Sequence, residues 1–152
     1  MLADVVKKVA KGARMEPPSA TTLAFLDKHH VAPRIVEALK ACSVSRELQV
    51  GNLRLYPFSA LPTQNRKPNH YALKNGFLVM GNGLNGDPLA VELSNGQVAF
   101  LAHDVLWGFD PECSAFEDCV ARSALDIDSF WTRALADDDF PVDFYAAGGC
   151  SR

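Results

Sequence analysis

Three groups of residues have types and spacing that could do chemistry. Gly81-Asn82-Gly83-Leu84-Asn85-Gly86 fits G-x-G-x-x-G, follows the apolar run Phe77-Leu78-Val79-Met80, and has Asp104 downstream at about the 20-residue offset of a dinucleotide-binding fingerprint. That chemistry needs the last glycine to open a helix whose first amides hold a pyrophosphate. Here Gly86 leads into Asp87-Pro88 and then an alternating segment, so the expectation is a glycine loop joining two antiparallel strands. The second group is His103-Asp104 with Cys113 as a nucleophile. Successive strand residues point to opposite faces, so Asp104 could orient its neighbour only across a turn. Nothing beside Cys113 marks a nucleophile elbow or a low-pKa thiol. A structural histidine at a strand end is the expectation, and no catalytic residue is assigned. Third, His29-His30 closes a helix, where it can help satisfy terminal carbonyls.

Charge is the stronger signal. The net charge of −3 divides unevenly: residues 1–103 hold 12 Lys/Arg against 7 Asp/Glu, and residues 104–152 hold 3 against 11. The basic half lacks the clustered cations and interleaved aromatics of a nucleic-acid surface. The acidic half would repel a phosphate backbone and attract a basic partner. Candidate partner-binding residues are therefore Asp110, Glu112, Glu117, Asp118, Asp126, Asp128, Asp137, Asp138 and Asp139, expected to gather on one face.

The elements that must position these groups follow from periodicity. Leu2, Val5, Val6, Val9 and Ala13 form one helical stripe, ended by Gly12 and Pro17-Pro18. Ser19 caps a second helix through Leu23 and Leu26, and Pro33 opens a third carrying Ile35, Ala38, Leu39 and Cys42. At Glu47 the period changes to two. Leu48–Val50 and Leu53–Tyr56 read as a hairpin across Gly51-Asn52, and Thr63 to His70 as a polar loop. Residues 77–80, 89–93 and 98–101 read as consecutive antiparallel strands, the last two joined by Asn95-Gly96 as a two-residue turn. Segment 112–123 suits a helix or a strand. Asp126 or Asp128 caps a last helix whose stripe is Ile127, Phe130, Trp131, Ala134 and Leu135, with Trp131 expected to be buried. Residues 140–152 read as a frayed tail.

With 152 residues, 48% apolar and 22% charged, the chain has the usage of one globular domain, core about 30–136, and not of a disordered chain. No apolar run reaches the roughly 18 residues of a membrane span, and the lysine-bearing start lacks a secretory signal's apolar stretch. A cytoplasmic protein is the expectation. Cys42, Cys113, Cys119 and Cys150 contain no C-x-x-C, and the histidines do not pair with them at zinc-finger spacing. Free, mostly buried thiols are expected, with no metal and no cofactor.

Taken together, Phe77-Leu78-Val79-Met80-Gly81, the loop to Gly86-Asp87, Leu89 to Leu93, Gly96-x-Val98 and His103-Asp104 resemble the core of the SUKH superfamily. That group includes yeast cell-wall-synthesis regulators and many bacterial immunity proteins. Pro33 to Leu39 resembles the family's proline-led helix, and Ser129-Phe130-Trp131 the Ser-Phe start of its closing helix. The resemblance implies an α+β fold: a curved, mainly antiparallel sheet of about five to six strands, with N-terminal helices and a C-terminal helix packed on it. It also implies a non-enzymatic protein-binding role, foremost an immunity protein neutralising a cognate toxin such as a nuclease. The alternatives are a regulatory scaffold without a toxin, and a small-ligand binder or hydrolase using the Gly81–Asp87 loop with His103 and Asp104. The partner expected is another protein, with a basic toxin in first place, and neither nucleic acid directly nor a membrane.

Overall fold

The computed structural model describes residues 1–149; Cys150 lies outside the described residues. The fold is α+β. Its sheet is a meander in which every strand pairs antiparallel with its neighbour in sequence: β1 (Leu48–Val50), β2 (Leu53–Leu55), β3 (Phe77–Asn82), β4 (Pro88–Glu92), β5 (Gln97–Leu101) and β6 (Val120–Asp126). Three helices precede it, α1 (Leu2–Val9), α2 (Ala20–Lys28) and α3 (Pro33–Lys40). Between β2 and β3 come α4 (Leu61–Gln64) and α5 (His70–Lys74), after β5 comes α6 (His103–Leu106), and α7 (Ile127–Ala136) closes the series.

The three central strands are apolar along most of their length because both sheet faces are covered, with Asn82, Glu92 and Gln97 at their ends. Leu78, Val91 and Val98 pair across the strands and share their face with Phe100, whose ring meets Phe130 of α7 at 5.8 Å. Trp131 is fully buried beside Gly81 on that side, and α1 lies against α7, with the Leu2 amide donating to Asp128 Oδ1 at 2.6 Å. On the other face Phe77 meets Phe116 at 5.5 Å, and α4 and α5 cover β3. Because β2 reaches β3 only at Gly81 and Asn82, the Val79 backbone has no strand partner on that side. The buried Asn65 carboxamide takes the strand's place, accepting from Val79 N at 2.8 Å and donating to Val79 O at 2.9 Å.

Several boundaries differ from expectation, each for a local reason. The first helix stops at Val9, before Ala13, because residues 14–16 are claimed as an extended segment beside 43–45, with Met15 bridging Val44 and Glu16 N bonding Ser43 O at 2.8 Å. The polar stretch 63–70 is not only loop: α4 and α5 occupy its ends. The β4–β5 connection is a four-residue loop, Leu93 to Gly96, one step out of register from an Asn-Gly turn. Val91 pairs with Val98, and Gly96, at φ 75°, closes the loop on the Glu92 carbonyl at 2.8 Å. Segment 112–123 combines a 3-10 turn over Phe116–Cys119 with the start of β6.

The tail is not frayed over 140–149. Phe140 and Phe144 are buried, and Phe140 packs edge-on against Phe130 at 5.0 Å. The helix caps follow expectation: Ser19 accepts from Thr22 N, and Asp126 from Ser129 N. Among the described residues no helix is long and apolar enough to cross a membrane.

Candidate functional site around Asp87

The glycine loop of the sequence motif folds around a buried carboxylate. Gly81 and Gly83 are small because backbone comes close: a Cβ on Gly81 would stand 2.2 Å from the Arg54 carbonyl, and on Gly83 2.3 Å from that of Val142. Gly86 turns the chain at φ 91°, and β4 follows at Pro88. No helix starts there, so the loop has no helix N-terminus to hold a pyrophosphate, and the fingerprint is met by packing needs.

Asp87 ends the loop with no solvent exposure. Its Oδ1 accepts from the His103 amide at 3.0 Å and lies 2.5 Å from His103 Nδ1, while Oδ2 accepts from the Phe144 amide at 2.9 Å. Its carbonyl also accepts from Gly83 N at 2.7 Å. One side chain thus joins the loop, the first residue of α6 and the C-terminal segment. Burial pushes the Asp87 carboxyl upward, but the donors from His103 and Phe144 outweigh it and hold the group below the usual carboxylate value. The carboxylate is ionised at neutral pH and its charge is met by hydrogen bonds, as a buried charge requires.

The pairing that sequence adjacency suggested is therefore replaced. Asp87, not Asp104, orients the His103 ring. Asp104 instead accepts from the Tyr145 hydroxyl at 3.1 Å. A carboxylate and an imidazole make two members of a nucleophilic relay, and the third must reach the other ring nitrogen. Cys113 is exposed and its thiol donates to Asp110 Oδ2 at 3.2 Å. Among the described residues Asp87 is the only hydrogen-bond partner of the His103 ring, and no group of three His, Cys, Asp or Glu is placed to hold a metal.

What the clamp presents outward is aromatic. Trp107, one turn on from His103, is 48% exposed, and its ring lies 4.9 Å from the imidazole. Its Nε1 donates at 2.9 Å to Oδ1 of the buried Asn69, which in turn donates to the Gln64 carbonyl. Tyr145, 43% exposed, follows the clamped Phe144, and Leu84, 67% exposed, crowns the glycine loop. These three account for most of the large apolar side chains left in solvent away from the N-terminal segment. Sequence reading singled out the loop and His103 but missed Trp107, Tyr145 and Asn69. The unused signal was an isolated tryptophan outside any apolar stripe.

The nine acidic candidates are spread over several elements, many with local tasks. Asp110 accepts from Glu112 N and the Cys113 thiol, and Glu117 grips Arg122, which also holds Glu92. The guanidinium keeps both glutamates below their usual range. Asp118 lies in the same 3-10 turn as Glu117. Asp126 caps α7, Asp128 holds the Leu2 amide, and Asp137 ends α7 with its backbone N–H donating to the Arg133 carbonyl while its side chain accepts from Asp139 N, with Asp138 between them. The ten residues of α7 separate the two aspartate groups by about 15 Å, well beyond the ~8 Å screening length at physiological salt.

No protein-family model, curated protein or solved structure matches this chain.

Proposed function

We propose that this chain is a non-enzymatic protein-binding module and that it acts as an immunity protein, covering a cognate toxin. The observation that carries the reading is the rigidly held aromatic pair, Trp107 and Tyr145, exposed to solvent yet each tied by its polar atom to Asn69 or Asp104. Tryptophan and tyrosine are the residue types that dominate interface energetics, and anchors oriented before binding lose little entropy on contact. The half-exposed His103 packs against Trp107, and Asp104, bonded to the Tyr145 hydroxyl, adds a negative charge suited to a basic partner. The resemblance to SUKH immunity proteins supports the toxin as the kind of partner.

The test is co-expression with the products of the genes flanking its own. The unaltered chain should protect cells from a toxic neighbour. Trp107→Ala with Tyr145→Ala should abolish protection by weakening the complex at least about 30-fold, the scale of a hot-spot loss, without lowering the amount of folded protein. Protection undiminished in the double variant, or no flanking product against which the chain protects, would overturn the reading.

A further inference from the structure

A groove of about 570 Å³ opens between α2 and the segment running from α4 to α5. Its wall carries four cations, Lys28, Arg66, Lys67 and Lys74, and no carboxylate lines it. Outside the groove Lys40 pairs with Glu37, Arg54 with Glu47, and Arg122 with Glu92 and Glu117, while the other lysines and arginines are in no ion pair among the described residues. None of the four groove cations is in an ion pair among the described residues. Phe25, Pro62 and Leu73 supply apolar surface between them, each half-buried. His29 and His70 complete the lining. Burial first, then Lys28 and His30 beside His29 and Lys74 and Lys67 beside His70, hold both imidazoles below the ordinary histidine value. The lysines thus add to burial in the same direction, and no carboxylate in the lining opposes them.

We propose that this groove docks an acidic segment of a partner protein, in which an aliphatic or aromatic side chain is flanked by aspartates or glutamates. The apolar floor takes the anchor and the surrounding cations take the carboxylates. The volume suits a few side chains, within the roughly 300–1,000 Å³ of ordinary ligand sites. A long nucleic acid fits less well. It needs a continuous cationic track, whereas the cations here ring one groove on a chain of net charge −3. The site uses none of the aromatic pair at Trp107 and Tyr145, so it stands or falls separately from the toxin reading.

The probe is a short fluorescein-labelled peptide of Asp, Glu and Ser around a central Leu-Phe pair, titrated into the full chain by fluorescence anisotropy and followed at the histidine ring resonances. Binding should shift the His29 and His70 signals and weaken about tenfold from low to physiological ionic strength. Lys67→Gln with Lys74→Gln, both at exposed positions, should weaken it by a similar factor with unchanged thermal midpoint. Tyr145→Ala, which removes a hydroxyl bonded to Asp104 and away from the groove lining, should bind the peptide as the unaltered chain does. The proposal is overturned by unmoved histidine signals, by equal affinity for a peptide lacking the Leu-Phe pair, or by tighter binding of single-stranded DNA of matching length. It is also overturned if the groove proves to be filled by a second copy, seen as self-association that the lysine substitutions abolish.

Discussion

The Asp87 carboxylate and the Phe144 amide, 57 residues apart, meet at 2.9 Å with no solvent reaching the acid. That bond turns residues 140–149 from a tail into part of the packed body, and it is one of three donors converging on the carboxylate. Asp87→Asn retains the volume but offers one acceptor atom where two are used. The expected loss is about 3 kcal/mol in chemical denaturation, the lower end for breaking a buried charged cluster. Amide exchange at Phe144 should accelerate more than exchange in the sheet.

Acid should erase that difference. The folded-state value of Asp87 is depressed, so its contribution is present above the ordinary carboxylate range and is lost as pH falls through the depressed value. The stability gap between the unaltered chain and Asp87→Asn should be widest near neutrality and narrow below about pH 4. A gap that grew with acidification would contradict the assigned ionisation.

Trp131 tests the core beneath α7. It is fully buried, meets Phe130 edge-on at 5.3 Å and stands next to Gly81. Trp131→Ala should cost roughly 3–5 kcal/mol, as large aromatic truncations do. Gly81→Ala should also destabilise, because its methyl group meets the Arg54 carbonyl of β2 and not a movable side chain. A denaturation midpoint unmoved by either substitution would place α7 at the periphery.

The thiols should separate cleanly by reactivity. Burial pushes Cys42 and Cys119 up to about 12, whereas Cys113 is exposed. The thiolate is the reactive form. Brief alkylation of the native protein near pH 8, read by peptide mass spectrometry, should modify Cys113 and spare Cys42 and Cys119. Denaturant should bring Cys42 and Cys119 to rates similar to that of Cys113.

The histidines of the basic groove are held below their ordinary value first by burial and then by neighbouring cations, and the second cause can be tested alone. Lys67 and Lys74 act on His70 in the direction that disfavours its protonated form. Replacing both with glutamine should raise the His70 pKa toward its ordinary value and leave His29, which answers to Lys28 and His30, much less changed. Ring-proton titration by NMR measures both at once. Equal upward shifts at the two rings would mean that a general change in charge is being read and not a local field.

Elements set by neighbouring residues were legible in the sequence. The hairpin around Gly51-Asn52, the caps at Ser19 and Asp126, the proline-led α3 and the apolar central strands all came from patterns a few residues long, where local propensity and burial agree. The candidate site was not, beyond its glycine loop and histidine. Asp87 looks like an ordinary turn residue until His103 and Phe144 arrive from 16 and 57 positions away. Phe140 and Phe144 lack a repeating stripe, so periodicity had nothing to detect. The β4–β5 turn slipped by one residue because Gly96 satisfies the last position of a four-residue loop as well as it would a two-residue one. Charge counting located an acidic half but could not divide it between the two ends of a helix.

The neighbour-to-neighbour order of the sheet also bears on how the chain finds its structure. Each strand needs only the next one, so most pairings close short loops and the sheet can form like a ribbon folded back on itself. The far-reaching bonds are the exceptions, above all Leu2 to Asp128 across 126 residues and Phe144 to Asp87. These have nothing to attach to until the ribbon exists. In pulse-labelled refolding, amides of Val91 and Val98 should therefore gain protection before those of Leu2 and Phe144, which makes both chain ends late-arriving latches whose release opens the molecule first.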